Sequence, residues 1–365
     1  MTVTSPQAGL AVVKAGFLPL YDCAALVVAA ERGFGRRYGI EIVLSRETSW
    51  ARVRDRLCKG ELDAAHVLYG LMYGVEMGIG GQAMPMAVLM NLSRNGQAIT
   101  LSRALVEQGA TDGAALAQLM RAQPRQYVFA QTFPTGNHAM LLYYWLAAHG
   151  IDPFGDARAI TISPPQMASS LRAGSMDGFC AGEPWGQRAV ADGSGVTIAT
   201  SGQVWQDHPG KVLGTTAAFA ERHPDRCRAL VAATLDASRW IEASPQNRRE
   251  AAELLSAARY LNLPAKAMPG ALALHAGGEA NFPYLSDGMW FMTQHRRWGL
   301  LRGDPDYLAV AGRVNRIDLY RQAAEMAGVA LPAGALRAST LIDGVPWDGS
   351  DPAAYAASFA IHRIM

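Results

Sequence analysis

The sequence predicts an α/β fold of two lobes with a ligand cleft between them, and three observations carry that expectation. Up to Val67, short apolar segments alternate with helical ones in βαβα order, the pattern of a parallel sheet flanked by helices, with binding residues in loops at the carboxyl ends of its strands. A helix, a glycine stop and an Asp-bearing strand occur twice, around Lys59-Gly60-Glu61-Leu62-Asp63-Ala64-Ala65 and Ala173-Gly174-Ser175-Met176-Asp177-Gly178-Phe179, which suggests comparable sheets in two lobes. A length of 365 residues is enough to bury both cores.

In order along the chain, Leu10 to Phe17 is an expected strand that Pro19 leaves for a loop, and Ala24 to Arg37 an expected helix stopped by Gly39. Ile40 to Leu44 is β-rich, Trp50 to Lys59 is compatible with a helix ended by Gly60, and Leu62 to Val67 gives the next strand. Residues 1–99 are expected to form the first segment of lobe I, residues 100–210 lobe II, and residues 211–365 the second segment of lobe I with C-terminal helices wrapping it. Ala98 to Leu101 is strand-like at the lobe crossing; in lobe II, Val128 to Thr132 is strand-like, Asn137 is a candidate N-cap for a helix from His138 to Ala148, and Pro165-Gln166 lead into a helix through Arg172. Alanine-rich helical patterns follow at Arg226 to Ile241, Arg248 to Ala258 and Arg316 to Met326. The glycine-, proline- and aromatic-rich stretch from Met268 to Trp298 has weaker periodicity and is expected to be loops and short helices around the first lobe.

Composition excludes several classes of function. The 33 Lys and Arg against 31 Asp and Glu leave +2, so no global field recruits nucleic acid or an anionic membrane. The longest apolar runs, Cys23 to Ala30 and Ala139 to Ala148, fall short of the roughly 18 residues of a membrane span. No basic residue precedes the first apolar stretch and Lys14 interrupts it, so neither an export signal nor an anchor is expected. Cys23, Cys58, Cys180 and Cys227 form no ligand-spaced group and are expected to be mostly buried thiols, which suits a reducing cytoplasm. There is no Gly-x-Ser-x-Gly elbow, Walker A loop or HExxH pair, so no enzyme activity, cofactor or metal is expected.

Four residues can carry anion chemistry. His138 follows the turn Phe133-Pro134-Thr135-Gly136-Asn137 at the start of a long apolar helix, where unpaired N–H groups and the positive dipole end favour an anion. It can equally be a histidine that caps or packs. Trp50 lies where a strand gives way to a helix and offers a flat face with one N–H donor, unless it is simply core. Gln97 follows the turn-prone Asn95-Gly96 and can donate at a lobe crossing, with an ordinary hinge or surface role equally open. Lys211 is the only positive side chain between Arg188 and Arg222. If it faces a cleft rather than solvent, its charge needs a partner, which an entering monoanion would supply. Glu183-Pro184-Trp185 can shape a cleft loop, Asp177 and Glu183 lack a carboxylate partner for acid–base work, and His66 is expected to pack.

Lys14 through Ala24, Trp50 with Arg54 and Asp55, Asp63 to Tyr69, Asn95-Gly96-Gln97, Phe133 to His138, Pro164-Pro165-Gln166-Met167, Gly182 to Trp185 and Asp207-His208-Pro209 together resemble the nitrate- and bicarbonate-binding proteins of cyanobacterial transporters. The resemblance covers most of the chain. It implies a type II periplasmic-binding-protein-like fold in which Trp50, Gln97, His138 and Lys211 hold a small anion between the lobes. The bicarbonate branch carries a glutamate where Lys211 stands, so the resemblance favours nitrate or nitrite, in keeping with Coulomb's law. Since no export signal is expected, it points to the cytoplasmic NasS-type nitrate and nitrite sensors, which hold a NasT-like antiterminator of the ANTAR class and release it when the anion binds. Such a sensor would touch neither nucleic acid nor membrane itself. The alternative is an extracytoplasmic nitrate-binding component of an ABC transporter.

Overall fold

A computed structural model of the chain describes residues 9–265, 268 and 278–363. Its principal strands are β1 (Ala11–Phe17), β2 (Ile40–Arg46), β3 (Ala64–Leu68), β4 (Met86–Asn91), β5 (Gln97–Ser102), β6 (Tyr127–Gln131), β7 (Ala157–Thr161), β8 (Gly178–Gly182), β9 (Gly195–Thr200) and β10 (Lys211–Thr216). They form two five-stranded sheets, ordered β2-β1-β3-β10-β4 and β7-β6-β8-β5-β9. In the first, β1 runs parallel to β2 and β3, and β10 lies antiparallel between β3 and β4. The second repeats the plan: β6 is parallel to β7 and β8, and β5 is antiparallel to β8 and β9. In each sheet the antiparallel strand inserted next to the parallel set is the one arriving from the other lobe. This exchange makes the molecule a two-lobed type II periplasmic-binding-protein-like α/β fold.

The crossings determine where the lobes meet. β5 begins at Gln97, so the expected division at residues 99/100 falls inside that strand and the chain changes sheet a few residues earlier. The two crossing segments pair: Arg94 and Pro209 form an antiparallel bridge, and the Asn95 N–H donates to the His208 carbonyl at 3.0 Å. Asn95 and Asp207 both take left-handed conformations, with φ of 56° and 53°, and the Asn95 amide donates to the Asp207 carboxylate at 3.2 Å. Asn and Asp tolerate that backbone region better than other side chains.

Local chemistry explains most element boundaries. The helix Trp50–Cys58 is capped by Ser49, whose hydroxyl accepts from the Arg52 N–H at 3.2 Å, and it buries Trp50, Val53 and Leu57 on one face. The single helix expected from Ala24 to Arg37 is instead a helix over Ala24–Glu31 and a 3₁₀ segment over Phe34–Tyr38. Gly33 between them has φ of 67°, which no α-helix accommodates. Asn137 is the first residue of its helix and Gly136 holds the cap position. The Asn137 amide accepts from the Gly70 N–H at 3.2 Å and donates to the carbonyls of Pro209 at 3.1 Å and Gly210 at 2.6 Å, tying this lobe II helix to lobe I and to the second crossing.

The expectation for Met268 to Trp298 needs the largest correction. Residues 269–277 lie outside the described residues, but Leu285–Arg297 is a regular helix, buried along nearly its whole length. It packs on the helices Tyr69–Glu76 of lobe I and Asn137–Ala148 of lobe II, and the His295 Nε2–H donates to the Thr135 carbonyl at 2.8 Å. Its buried positions include Ser286, Asp287, Thr293, Gln294 and His295 among the apolar side chains, which is why its apolar periodicity is faint in the sequence.

Candidate functional site

Lys211 opens β10 and pairs with Leu68 at the carboxyl end of β3, which brings it to the rim where the parallel strands of the first sheet end. The same rim carries Asp22 in the 3₁₀ turn after β1, Trp50 at the start of the helix after β2, and His66 within β3. Lobe II contributes the equivalent rim of its own sheet: Thr132 just after β6, His138 in the first turn of the following helix, and Gly182 at the end of β8. Ligands of open α/β sheets bind at such rims, and here two rims face each other.

The Lys211 ammonium donates to the Asp22 carboxylate at 2.9 Å, lies 3.4 Å from Nε2 of His138 and stands 6.0 Å from the centre of the Trp50 ring. His66 Nε2 bonds the other Asp22 oxygen at 2.7 Å, and its ring lies 5.4 Å from that of Trp50. Lys211, His138, His66, Trp50 and Asp22 are all at most 3% exposed. The contacts decide both tautomers. The Leu18 N–H donates to His66 Nδ1 at 3.4 Å, so His66 carries its proton on Nε2 and donates to Asp22. His138 turns Nε2 toward an ammonium and Nδ1 toward the Thr132 hydroxyl, so its proton sits on Nδ1 and the Nε2 lone pair faces the cleft.

Burial, reinforced by the Lys211 charge, holds the His138 imidazole well below the ordinary histidine range. Burial also lowers His66, although Asp22 works against it. Burial alone would raise the Asp22 carboxyl, but Lys211 and His66 together outweigh it and keep that group below the usual carboxylate range. With both imidazoles neutral, Lys211 and Asp22 cancel and the site has no formal charge. The expected lysine waiting for an anion to neutralise it is therefore corrected: Asp22 already does so.

Trp50, His138 and Lys211 come together, while Gln97 does not join them. The Gln97 side chain is buried, but its amide donates to the Asn95 carbonyl at 3.1 Å and its Oε1 has no partner among the described residues. It reaches the site only through backbone pairing with Gly182. A Cβ on Gly182 would stand 3.5 Å from both His138 Nε2 and Lys211 Nζ and 2.6 Å from a Leu20 methyl, so glycine preserves the space beside the two nitrogens. The Trp50 indole N–H is buried with no partner among the described residues, an unmet donor worth about 1–3 kcal/mol. Asp22 and Thr132 are not among the candidates read from the sequence, and His66 is expected there only to pack. His66 does pack, but it also orients Asp22. The signals available were an acid inside the apolar segment after β1 and a histidine inside an apolar strand.

The lobes also touch beside the site. The Tyr21 N–H donates to the Glu183 carbonyl at 3.0 Å, and the Trp185 indole N–H donates to the Pro19 carbonyl at 3.2 Å. Burial pushes the Glu183 carboxyl up to about 7. Outside these contacts a cavity of about 540 Å³ opens between the lobes, lined by Ser49 and Ala51 on one side and by Thr132, Phe133, Ser163 and Gln166 on the other. Thr132 both lines it and bonds His138. Among the described residues no group of three His, Cys, Asp or Glu side chains can hold a metal ion.

Residues 7–256 match the NMT1-like family. The chain belongs to that family. It is 38% identical over 366 residues to the bicarbonate transport ATP-binding protein CmpC of Synechococcus elongatus, covering 96% of this chain but 55%, about half, of that protein. It is 33% identical over 384 residues to the nitrate/nitrite binding protein NrtA of Synechocystis, covering 96% of this chain and 85% of that one. The crystal structure of the periplasmic nitrate-binding protein NrtA from Synechocystis superposes with a TM-score of 0.90 at 33% identity, over 96% of this chain and 99% of that one. The Synechocystis relative is a nitrate/nitrite binding protein, and the solved one a periplasmic nitrate-binding protein.

These relatives overturn the cytoplasmic sensor. They are transport proteins, and the solved one is periplasmic, so the cytoplasmic location, the antiterminator partner and the exclusion of a membrane system are all corrected. The expectation failed because binding cleft and fold serve transport and sensing alike, leaving only the opening residues and the cysteines to separate them. Residues 1–8 lie outside the described residues. Cys23, Cys180 and Cys227 are free and buried, which reports packing and not compartment. No helix among the described residues is long and apolar enough to cross a membrane.

Proposed function

We propose that this chain is the extracytoplasmic nitrate- or nitrite-binding component of an ABC transporter, delivering the anion to membrane-bound permease and ATPase subunits. One observation carries the proposal: the buried Lys211 ammonium faces His138 across the two sheet rims in a chain that matches a periplasmic nitrate-binding protein along 96% of its length. A planar oxyanion accepting from Lys211 Nζ and from the Trp50 indole N–H would satisfy the unmet donor. Gln97 joins the set by turning its amide away from the Asn95 carbonyl.

In this account the segments of the first sheet move as one body and those of the second as another, about the paired crossings at Asn95 and Asp207. The site is sealed in the closed arrangement, so the lobes must part to admit the anion and close to hold it. Calorimetric titration of the purified chain with nitrate, nitrite, bicarbonate and sulfate tests the assignment. Bicarbonate is the necessary comparator because of the relation to CmpC. Saturable binding of nitrate or nitrite in preference to the other two supports the proposal; binding of bicarbonate or sulfate alone rejects it.

A further inference from the structure

Asp22 gives the site an internal counter-ion, and that alters what an anion must bring with it. Before ligand enters, Lys211 and Asp22 sum to zero, 2.9 Å apart and out of contact with solvent. A nitrate or nitrite entering the same pocket leaves it with one uncompensated negative charge, which a water-excluded site tolerates poorly. It would also meet the Nε2 lone pair of His138, which faces the cleft beside Lys211, and two acceptors repel. One proton placed on that nitrogen restores neutrality and converts the lone pair into a donor aimed at the ligand, with the anion seated between it and the Lys211 ammonium that it faces at 3.4 Å before ligand enters.

We propose that the anion is bound together with one proton, held on Nε2 of His138, and that Asp22 is the positioning residue that makes the proton necessary. This rests on the nitrate or nitrite assignment above. The proton comes from solvent, because nitrate is the anion of a strong acid and carries none at neutral pH. It forms an N–H bond at Nε2, while the existing Nδ1–H stays on the Thr132 hydroxyl. No other group facing His138 takes the proton as well. His66 on β3 has its Nδ1 lone pair occupied by the Leu18 N–H and its Nε2–H committed to Asp22. Asp22, in the turn after β1, is held ionised by Lys211 of β10 and by His66. Burial above all, with Lys211, Arg337 and Arg94, disfavours protonation of His208 in the second crossing and outweighs its bond to the Pro209 carbonyl. Cys180 on β8 is a buried thiol, kept protonated by burial. Glu183, the next acid along, accepts from the Gln187 N–H at 3.0 Å and, raised by burial to about 7, is the acid to which uptake persisting in His138→Gln would point.

Free His138 is neutral at pH 7, because burial holds it well below the ordinary range, and bound His138 is charged. Binding therefore takes up a proton, and affinity rises as pH falls, until the free imidazole begins to protonate. The test is nitrate titration of the full chain in several buffers of different ionisation enthalpy, repeated across pH 6 to 8. Uptake close to one proton per anion, with affinity weakening about tenfold for each pH unit of increase, is expected. His138→Gln, which offers a neutral amide but leaves the pocket its extra negative charge, should bind nitrate more weakly than the wild type at pH 6 and without proton exchange. Asp22→Asn should bind it without exchange and with affinity independent of pH; if that variant does not fold, the wild-type and His138→Gln titrations still decide. Nitrate binding by the wild type with no proton uptake overturns the proposal while leaving the nitrate assignment intact, since a swap of hydrogen-bond direction between His138 and Thr132 would then suffice. Unchanged uptake in His138→Gln overturns His138 as the proton's site. Absence of binding by nitrate and nitrite at every pH overturns the assignment and this inference together.

Discussion

Lys211 and Asp22, 189 positions apart in the chain, form a fully buried ion pair of 2.9 Å at the rim where the lobes face each other. Neither charge reaches water, so each is the other's main compensation. Lys211→Ala should weaken nitrate binding by about 2–5 kcal/mol and, by leaving Asp22 buried without its ammonium, lower fold stability by about 3–5 kcal/mol. Lys211→Glu should abolish binding, because two carboxylates would then face the anion. Calorimetry and urea unfolding check the two effects separately; wild-type affinity in either variant contradicts the assignment of Lys211.

Trp50→Phe keeps the ring and removes the indole N–H that has no partner in the closed cleft. Nitrate binding should weaken by about 1.5–3 kcal/mol, the range for a hydrogen bond to a charged group. Fold stability should hold or rise slightly, since the unfilled donor is gone. A loss of stability with unchanged affinity would assign Trp50 to packing alone.

Gly182→Ala places a methyl group 3.5 Å from Lys211 Nζ and His138 Nε2 and 2.6 Å from Leu20. Overpacking at this meeting of the lobes should cost about 1–3 kcal/mol, felt mainly as weaker anion binding because an open arrangement relieves the clash. Small-angle scattering should show a more extended average shape than the wild type. Equal compactness with equal affinity would contradict the tight fit.

Stability without ligand should fall on mild acidification. His138 and His66 are held below the ordinary range, His208 to about 3 and His295 to about 4, in every case chiefly by burial. An unfolded histidine titrates near ~6.5, so below that pH the unfolded chain binds more protons than the folded one and stability drops toward the folded values. Asp22 acts at lower pH: its folded value is depressed, so its contribution is complete above the unfolded carboxylate range and is lost as pH falls through the folded value. Urea midpoints measured from pH 8 to pH 5 should decrease below about 6.5, and less steeply in His138→Gln. Glu183, raised by burial to about 7, works in the opposite direction as pH falls and offsets part of this loss; midpoints that stay level even in Glu183→Gln would contradict the neutral buried imidazoles.

Much of this architecture was legible in the sequence because its signals are local. Gly60 and Gly174 stop helices before strands, and the isolation of Lys211 between Arg188 and Arg222 marks it without any structure. The parts that escaped are those decided by distant partners. Asp22 looks like one acid in an apolar segment until Lys211 arrives from 189 positions away. Asn137 looks like a cap until its amide meets Gly70, Pro209 and Gly210. Gln97 has suitable chemistry for the site, but its amide is bonded to Asn95 in the closed cleft. The distinction between transport and sensing is not written in the cleft at all, and it came from the relatives.

A crystal structure of the chain with nitrate locates the anion. One anion is expected between the sheet rims, within hydrogen-bond distance of Lys211 Nζ, the Trp50 indole N–H and His138 Nε2. Nitrate bound elsewhere, with the Lys211–Asp22 pair undisturbed and the Trp50 N–H still without a partner, would contradict this placement.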